Sequence, residues 1–204
     1  MFVRDLRLWE PPAEDLSAAP KLEWTEPIFR RRLSQLTKMT VQVVRDIFDG
    51  KAEGEGAAVD KNAKLVFLSF RGELEREFKV NKTLIEDDSI LPAAFSLSVF
   101  NAAIAQATIA LGLKGGYSCV FPSQGSFADG LLSAAAPVLA GDANEIVLVY
   151  ADENVPDYYK EFLKGPNEPL AFAAVLSSQK QGGVELDLQN IPRSPREFIQ
   201  AFKK

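Results

Sequence analysis

The chain has 204 residues, 47% hydrophobic and 25% charged, with a net charge of -5, one cysteine and no histidine. That length supports one generous domain with its own core, and the acidic balance leaves no cationic footprint for nucleic acid. Without histidine, the Ser-His and Cys-His nucleophile pairs, histidine metal sites and the commonest general base are excluded, and a lone cysteine makes no intrachain disulfide.

Alternation over Phe2 to Trp9 predicts a first strand. Residues 11–27 form a loop rich in proline, alanine and acid. The first twenty residues carry no apolar signal core behind a basic start, so a cytoplasmic location is expected. From Phe29 to Phe48, Leu33, Leu36, Val41, Val44 and Ile47 fall at helical spacing, with Gly50 as the stop. A polar, glycine-rich connection over 51–62 leads to LVFLSF at 65–70, suited to a buried strand. Residues 73–85 read as helix and Glu86-Asp87-Asp88 as a solvated loop. Ser89 to Leu113 is uncharged over 25 positions, long enough to span a bilayer. Pro92, Ser96, Ser98, Asn101, Gln106 and Thr108 interrupt it, so the expectation is a buried core helix over 93–111, closed by Gly112.

Next come a strand at 117–121 broken by Pro122, a small-residue helix at 125–140 stopped by Gly141, and the buried strand EIVLVY at 145–150. Two strands, 169–177 and 184–188, flank a polar turn at Gly182-Gly183. Ser194 caps a last amphipathic helix bearing Phe198 and Phe202. Between Ser89 and Asn144 only Lys114, Asp129 and Asp142 are charged, which places that segment inside a layered structure rather than on its face. Strands alternating with helices give the α/β class, here with helices on both faces of a mixed, mostly parallel five-stranded sheet.

Residues 112–153 concentrate the chemistry. Gln124, Gly125 and Ser126 stand at a strand-to-helix turn, where free N–H groups face an oxyanion or acyl group. Ser126, Ala128, Gly130 and Ser133 to Ala136 let that helix lie close to its neighbours. Gly112, Gly115 and Gly116 precede a strand instead of following one, which excludes a Rossmann or Walker phosphate loop. Ser118, Ser123 and Ser126 lack the nucleophile-elbow context, which excludes a serine hydrolase. Cys119 reads as a structural thiol on a strand. Asp129 reads as a paired or capping carboxylate, and Asp152 and Glu153 either face a site or are ordinary loop carboxylates. Three positive charges at a helix start, Arg30-Arg31-Arg32, oppose the helix dipole and suit an anionic partner; the alternative is a solvated helix start.

This segment resembles the N-terminal half of the β-ketoacyl synthases, members of the thiolase fold. In that family a Gly-Pro turn, seven residues of strand and a nucleophilic cysteine at a helix start follow one another. Here Gly115-Gly116, the seven residues Tyr117 to Ser123, and then Gln124 occupy those places, without the cysteine. Glutamine there is similar to the chain-length factors of type II polyketide systems, and to the decarboxylating ketosynthase domains of some modular systems. PIFRRRLSQLTKM (27–39), SFRGELE (69–75), PAAFSLSVFN (92–101), SFADGLL (126–132) and the 147–153 strand resemble motifs of a short, chain-length-factor-like group in the same order. Phe100 departs from it, standing where members often carry histidine.

The resemblance covers about residues 27–176 of a single 1–204 domain, leaving a C-terminal strand and helix at 184–203. It implies half of a thiolase-like fold. The catalytic histidines of full ketosynthases lie in the C-terminal half, so it implies a subunit that does not condense acyl groups by itself. Its role would be that of a chain-length factor in fatty-acid-like or aryl-polyene-type polyketide biosynthesis. Partners would be a full ketosynthase or a second copy, through the strand Tyr117, Ser118, Cys119, Val120 and Phe121, and an acyl carrier protein at Arg30, Arg31 and Arg32. Phe95, Phe100, Phe121, Gln124 and Ser126 would line an acyl pocket. No cofactor and no metal are implied. The alternatives are a malonyl-carrier decarboxylase using Gln124, and a stand-alone acyl-binding module.

Overall fold

In the computed structural model, which describes residues 1–49, 59–122, 126–163 and 167–203, six strands form one sheet. They are β1 (Phe2–Trp9), β2 (Lys64–Leu68), β3 (Tyr117–Val120), β4 (Glu145–Asp152), β5 (Leu170–Ser177) and β6 (Val184–Glu185), ordered β3-β2-β4-β5-β1-β6. β2 runs parallel to β3 and to β4, whereas the β4–β5, β5–β1 and β1–β6 pairs are antiparallel. The sheet is therefore six-stranded and mixed, not five-stranded and mostly parallel. An apolar run looks the same whichever way its neighbour points, and β1 enters between β5 and β6 from the far side of the sheet.

Among the described residues seven helices accompany it: α1 (Pro27–Arg31), α2 (Gln35–Asp49), α3 (Leu74–Asp87), α4 (Pro92–Phe95), α5 (Ala102–Leu111), α6 (Phe127–Leu139) and α7 (Pro195–Phe202), with a 3-10 turn at Asp157–Phe162. The two-residue period of the strands divides the core in two. Leu65, Phe67, Val147, Val149, Ala171, Ala173 and Val175 face α2 and α5. Val66, Leu68, Ile146, Leu148, Phe172, Ala174 and Leu176 face α6 and α7. On that second side Tyr150 and Phe172 stack at 5.4 Å and Phe172 and Phe198 at 5.0 Å. α6 lies against the sheet because residue 130 is glycine: a Cβ there would sit 2.5 Å from Leu68 Cδ1 and 3.0 Å from Pro122 Cγ. Ser194 caps α7, its Oγ accepting the N–H of Glu197 at 3.1 Å.

Two long predicted helices are broken. The 29–48 helix stops after α1 and restarts at α2, where Ser34 Oγ accepts the N–H of Thr37 at 3.0 Å as a new N-cap. The uncharged 93–111 helix divides into α4 and α5. Ser96 Oγ donates to the Ala93 carbonyl at 3.1 Å and Ser98 Oγ to the Phe95 carbonyl at 2.9 Å, local bonds that compete with continuous helix. The charge-poor segment is also not simply interior. Leu91, Phe95, Val99, Ile109, Phe121, Leu132 and Leu139 expose between 39% and 70% of their surface. Its lack of charge marks an apolar surface as much as a core. Among the described residues no helix is long and apolar enough to cross a membrane.

Candidate functional site

The three parallel strands β2, β3 and β4 all end on one side of the sheet, and the loops leaving those ends form the candidate site. β4 ends on two carboxylates that the fold buries, Asp152 and Glu153, each 1% exposed. Asp152 Oδ1 accepts from Ser69 Oγ at 2.8 Å and from the N–H groups of Phe70 and Arg71 at 3.1 and 3.2 Å. Its Oδ2 accepts from the Tyr150 hydroxyl at 2.6 Å. Burial raises the Asp152 carboxyl above its ordinary range, against the opposing charge of Arg71 and these bonds. Ser69 Oγ accepts in turn from the Gly72 N–H at 2.8 Å, so the loop leaving β2 is tied down at each step.

Glu153 accepts the N–H of Glu75 at 3.0 Å and of Leu36 at 3.4 Å, joining the starts of α3 and α2 to the end of β4. Burial first and the neighbouring Glu73 second push its carboxyl up to about 8. Glu73 is itself buried: Ser34 Oγ donates to it at 2.7 Å, Thr37 Oγ1 at 2.5 Å, and Arg76 Nε at 3.1 Å. The carboxylates at this end of the sheet therefore fasten helices and loops. Among the described residues no group of three or more histidine, cysteine, aspartate or glutamate side chains is placed to hold a metal ion.

Beside the clamped loop runs a line of aromatic rings. Phe67 in the core lies 6.0 Å from Phe100, and Phe100 meets Phe121 edge-on at 5.2 Å. Phe121 is 61% exposed, so the line passes from the core to the surface at the end of β3. Of the acyl-pocket candidates, Phe100 and Phe121 are thus brought together, whereas Phe95 is exposed on α4 and makes no ring contact with them. Ser126 is the N-cap of α6, its Oγ accepting the N–H of Asp129 at 3.3 Å. Gln124 and its neighbours Ser123 and Gly125 lie outside the described residues. β3 is an edge strand, with β2 on one side only. Cys119 on it is half-buried, and burial pushes its thiol up to about 11, away from reactive thiolate.

The arginine triplet lies in the last turn and at the C-cap of α1, where positive charge suits the helix dipole, not at a helix start, and it splits. Arg30 turns away, its Nη1 donating to the carbonyls of Thr25 at 3.1 Å and Glu23 at 3.4 Å. Arg31 and Arg32 line a groove of about 440 Å³ with Glu75, Arg76 and Lys79 of α3, where Lys79 Nζ donates to Glu75 at 2.6 Å, beside Leu33, Leu91, Ala94 and Leu97. Arg76 spans groove and core, donating from Nη2 to the Arg32 carbonyl at 2.8 Å while its Nε holds Glu73. Sequence reasoning missed Glu73, Arg76 and Lys79. Their spacing of three, at the start of an amphipathic helix, was the available signal for one shared face.

The profile described as "Beta-ketoacyl synthase, N-terminal domain" matches residues 7–200. No curated protein sequence matches the chain. Among solved structures it is similar to one described as the ketosynthase ApeO in complex with its chain length factor ApeC from Xenorhabdus doucetiae, with TM-score 0.70 and 23% identity over 87% of this chain and 78% of that one. The ishigamide ketosynthase/chain length factor gives TM-score 0.56 and 16% identity over 86% of this chain and 55% of that one. The ketosynthase from module 6 of the bacillaene synthase of Bacillus subtilis 168 gives 0.53 and 13%, over 85% and 32%. Likenesses at these identities establish the shared fold.

Proposed function

The chain belongs to the β-ketoacyl synthase N-terminal-domain family, and from that premise we propose that it is a non-catalytic, chain-length-factor-type subunit. It acts in fatty-acid-like or aryl-polyene-type polyketide biosynthesis, beside a full ketosynthase and with an acyl carrier protein. The observation that carries this reading is the surface around β3. An edge strand with one open side adjoins a segment where Leu91, Phe95, Val99 and Phe121 are exposed and uncharged. An open apolar edge invites strand pairing, and a stable protein covers it. Pairing of Tyr117–Val120 with the matching strand of a ketosynthase satisfies its free N–H and C=O groups and buries Phe121 near the partner.

Chemistry supports the non-catalytic assignment. Condensation needs a thiolate to hold the acyl chain and imidazoles to assist decarboxylation and stabilise the enolate. Gln124 stands where the family nucleophile belongs, and the sequence contains no histidine. Cys119, with its thiol at about 11, is ionised at neutral pH only to about one part in ten thousand. The chain's contribution is then shape and charge. Phe100 and Phe121 wall an acyl tunnel at the interface. Arg31 and Arg32 present positive charge to the acidic surface of a carrier protein or to its phosphopantetheine, at a groove where Arg76 and Lys79 are paired with Glu73 and Glu75. Solved neighbours described as ketosynthase/chain-length-factor pairs, and as a carrier protein in complex with its ketosynthase, accord with this role.

The test is sedimentation of the purified chain alone and with a full ketosynthase, alongside mass spectrometry of malonyl carrier protein incubated with the chain alone. Formation of a mixed complex, with malonyl carrier left intact, is expected. Acetyl carrier formed by the chain alone and reduced in Gln124→Ala would assign it decarboxylase activity and overturn the proposal, as would a monomer indifferent to the ketosynthase.

A further inference from the structure

The aromatic line and the clamped loop meet at Gly72. A Cβ built on Gly72 would sit 2.9 Å from Phe100 Cδ2 and 3.8 Å from Phe100 Cα. The ring therefore packs on the bare backbone of residue 72, which is buried and has a φ of +61°. That backbone is fixed from the core side. Ser69 Oγ accepts the Gly72 N–H and donates to Asp152, whose carboxylate also holds the N–H groups of Phe70 and Arg71 and is itself held by Tyr150. The chain of support runs from β4 to the loop leaving β2 and ends on the Phe100 ring, with Phe121 beyond it at 5.2 Å.

We propose that the Asp152–Ser69–Gly72 clamp sets the position of the Phe100 ring, making Gly72 a specificity-determining residue for the acyl group that the aromatic wall admits. This rests on the reading of Phe100 and Phe121 as that wall. Gly72 and Ser69 are positioning residues: they touch the ring or its support and not the acyl chain. A side chain at 72 forces the ring off its present seat beside Phe121 and so reshapes the wall. Loss of the Ser69 hydroxyl frees the Gly72 N–H and lets the ring retreat.

Two readouts separate the clamp from the wall. Thermal melting of the purified chain as wild type, Gly72→Ala, Phe100→Leu and the double variant reports contact between the two positions independently of any partner. The loss in the double variant is expected to fall short of the sum of the single losses, because the smaller side chain yields to the new methyl, while the backbone strain at φ +61° stays in both variants. Simple addition overturns the clamp. If Gly72→Ala fails to fold and the double variant folds, the coupling is demonstrated outright. If neither folds, Ser69→Ala carries the test.

The second readout is product length in a reconstitution with a full ketosynthase and malonyl carrier protein. Phe100→Leu is expected to lengthen the product. Gly72→Ala and Ser69→Ala are expected to shift it by at least one two-carbon unit when Phe100 is present, and not in the Phe100→Leu background. If Phe100→Leu leaves the product unchanged, the wall reading fails and the specificity role fails with it. If Phe100→Leu lengthens the product while Gly72→Ala and Ser69→Ala leave it unmoved, the clamp fails alone.

Discussion

In Glu153→Gln the side chain keeps its shape and loses its ability to ionise. The wild-type carboxyl rises from its ordinary 4.5 to about 8 because it is buried beside Glu73, with Glu75 adding a smaller repulsion. Between those two values the folded protein holds a proton that the unfolded chain releases, so stability falls as pH rises. The contribution is fully present below 4.5 and lost by the time the pH passes about 8. At about 1.4 kcal/mol per pH unit the loss is on the order of 5 kcal/mol, comparable with the whole stability of many domains. The glutamine variant removes this dependence. With its oxygen kept on the Glu75 N–H, its amide nitrogen replaces the acceptor of the Leu36 N–H at 3.4 Å, setting donor against donor at a cost of about 1–3 kcal/mol. Urea denaturation followed by tryptophan fluorescence from pH 5 to 9 reads the outcome. The wild type should be the more stable at pH 5 and the variant the more stable at pH 8.5. Parallel curves, or a variant weaker throughout, would refute an ionisation strain at Glu153.

Three further outcomes are expected. Gly130→Ala pushes a methyl to within 2.5 Å of Leu68 Cδ1 and should lower stability by about 1–3 kcal/mol, the usual cost of overpacking, as read by chemical denaturation. Arg31→Glu and Arg32→Glu should each weaken carrier-protein binding at least tenfold at low salt, with a shallower salt dependence in calorimetry. Arg30→Glu should change binding much less, because its guanidinium is turned to the Thr25 and Glu23 carbonyls. Phe95→Asp, at a position 54% exposed, should leave the melting temperature within a degree or two while reducing association with a ketosynthase in sedimentation.

Much of the fold was legible because strands buried on both faces of the sheet are apolar at nearly every residue. Strands β2, β4 and β5 announce themselves as apolar runs, and Gly112, with φ of +63°, closes α5 where punctuation placed the stop. Strand direction was not legible, since parallel and antiparallel neighbours ask for the same side chains. Neither were the helix breaks at Ser34 and at Ser96–Ser98, where a hydroxyl diverts a carbonyl or an N–H over a few residues that a long periodicity window averages away. At the site, the resemblance names Phe95, Phe100 and Phe121 together as acyl-pocket residues; Phe100 and Phe121 touch each other, whereas Phe95 stands apart on α4. The roles of Asp152 and Glu153 were not separable on sequence, because a carboxylate at a strand end looks alike whether it faces water or fastens two helices. Arg30 and Arg31 are adjacent and chemically identical; only the helix turn between them sends one to the groove and the other to the loop carbonyls.

The most direct measurement is the product of a reconstitution in which this chain, a full ketosynthase and malonyl carrier protein are combined, compared with the same mixture lacking one component at a time. Neither decarboxylation nor condensation is expected of the chain with carrier alone. A product of defined length is expected only when chain and ketosynthase are both present. Acetyl or elongated acyl carrier produced by this chain without the ketosynthase, or an identical product with the chain left out, would contradict it.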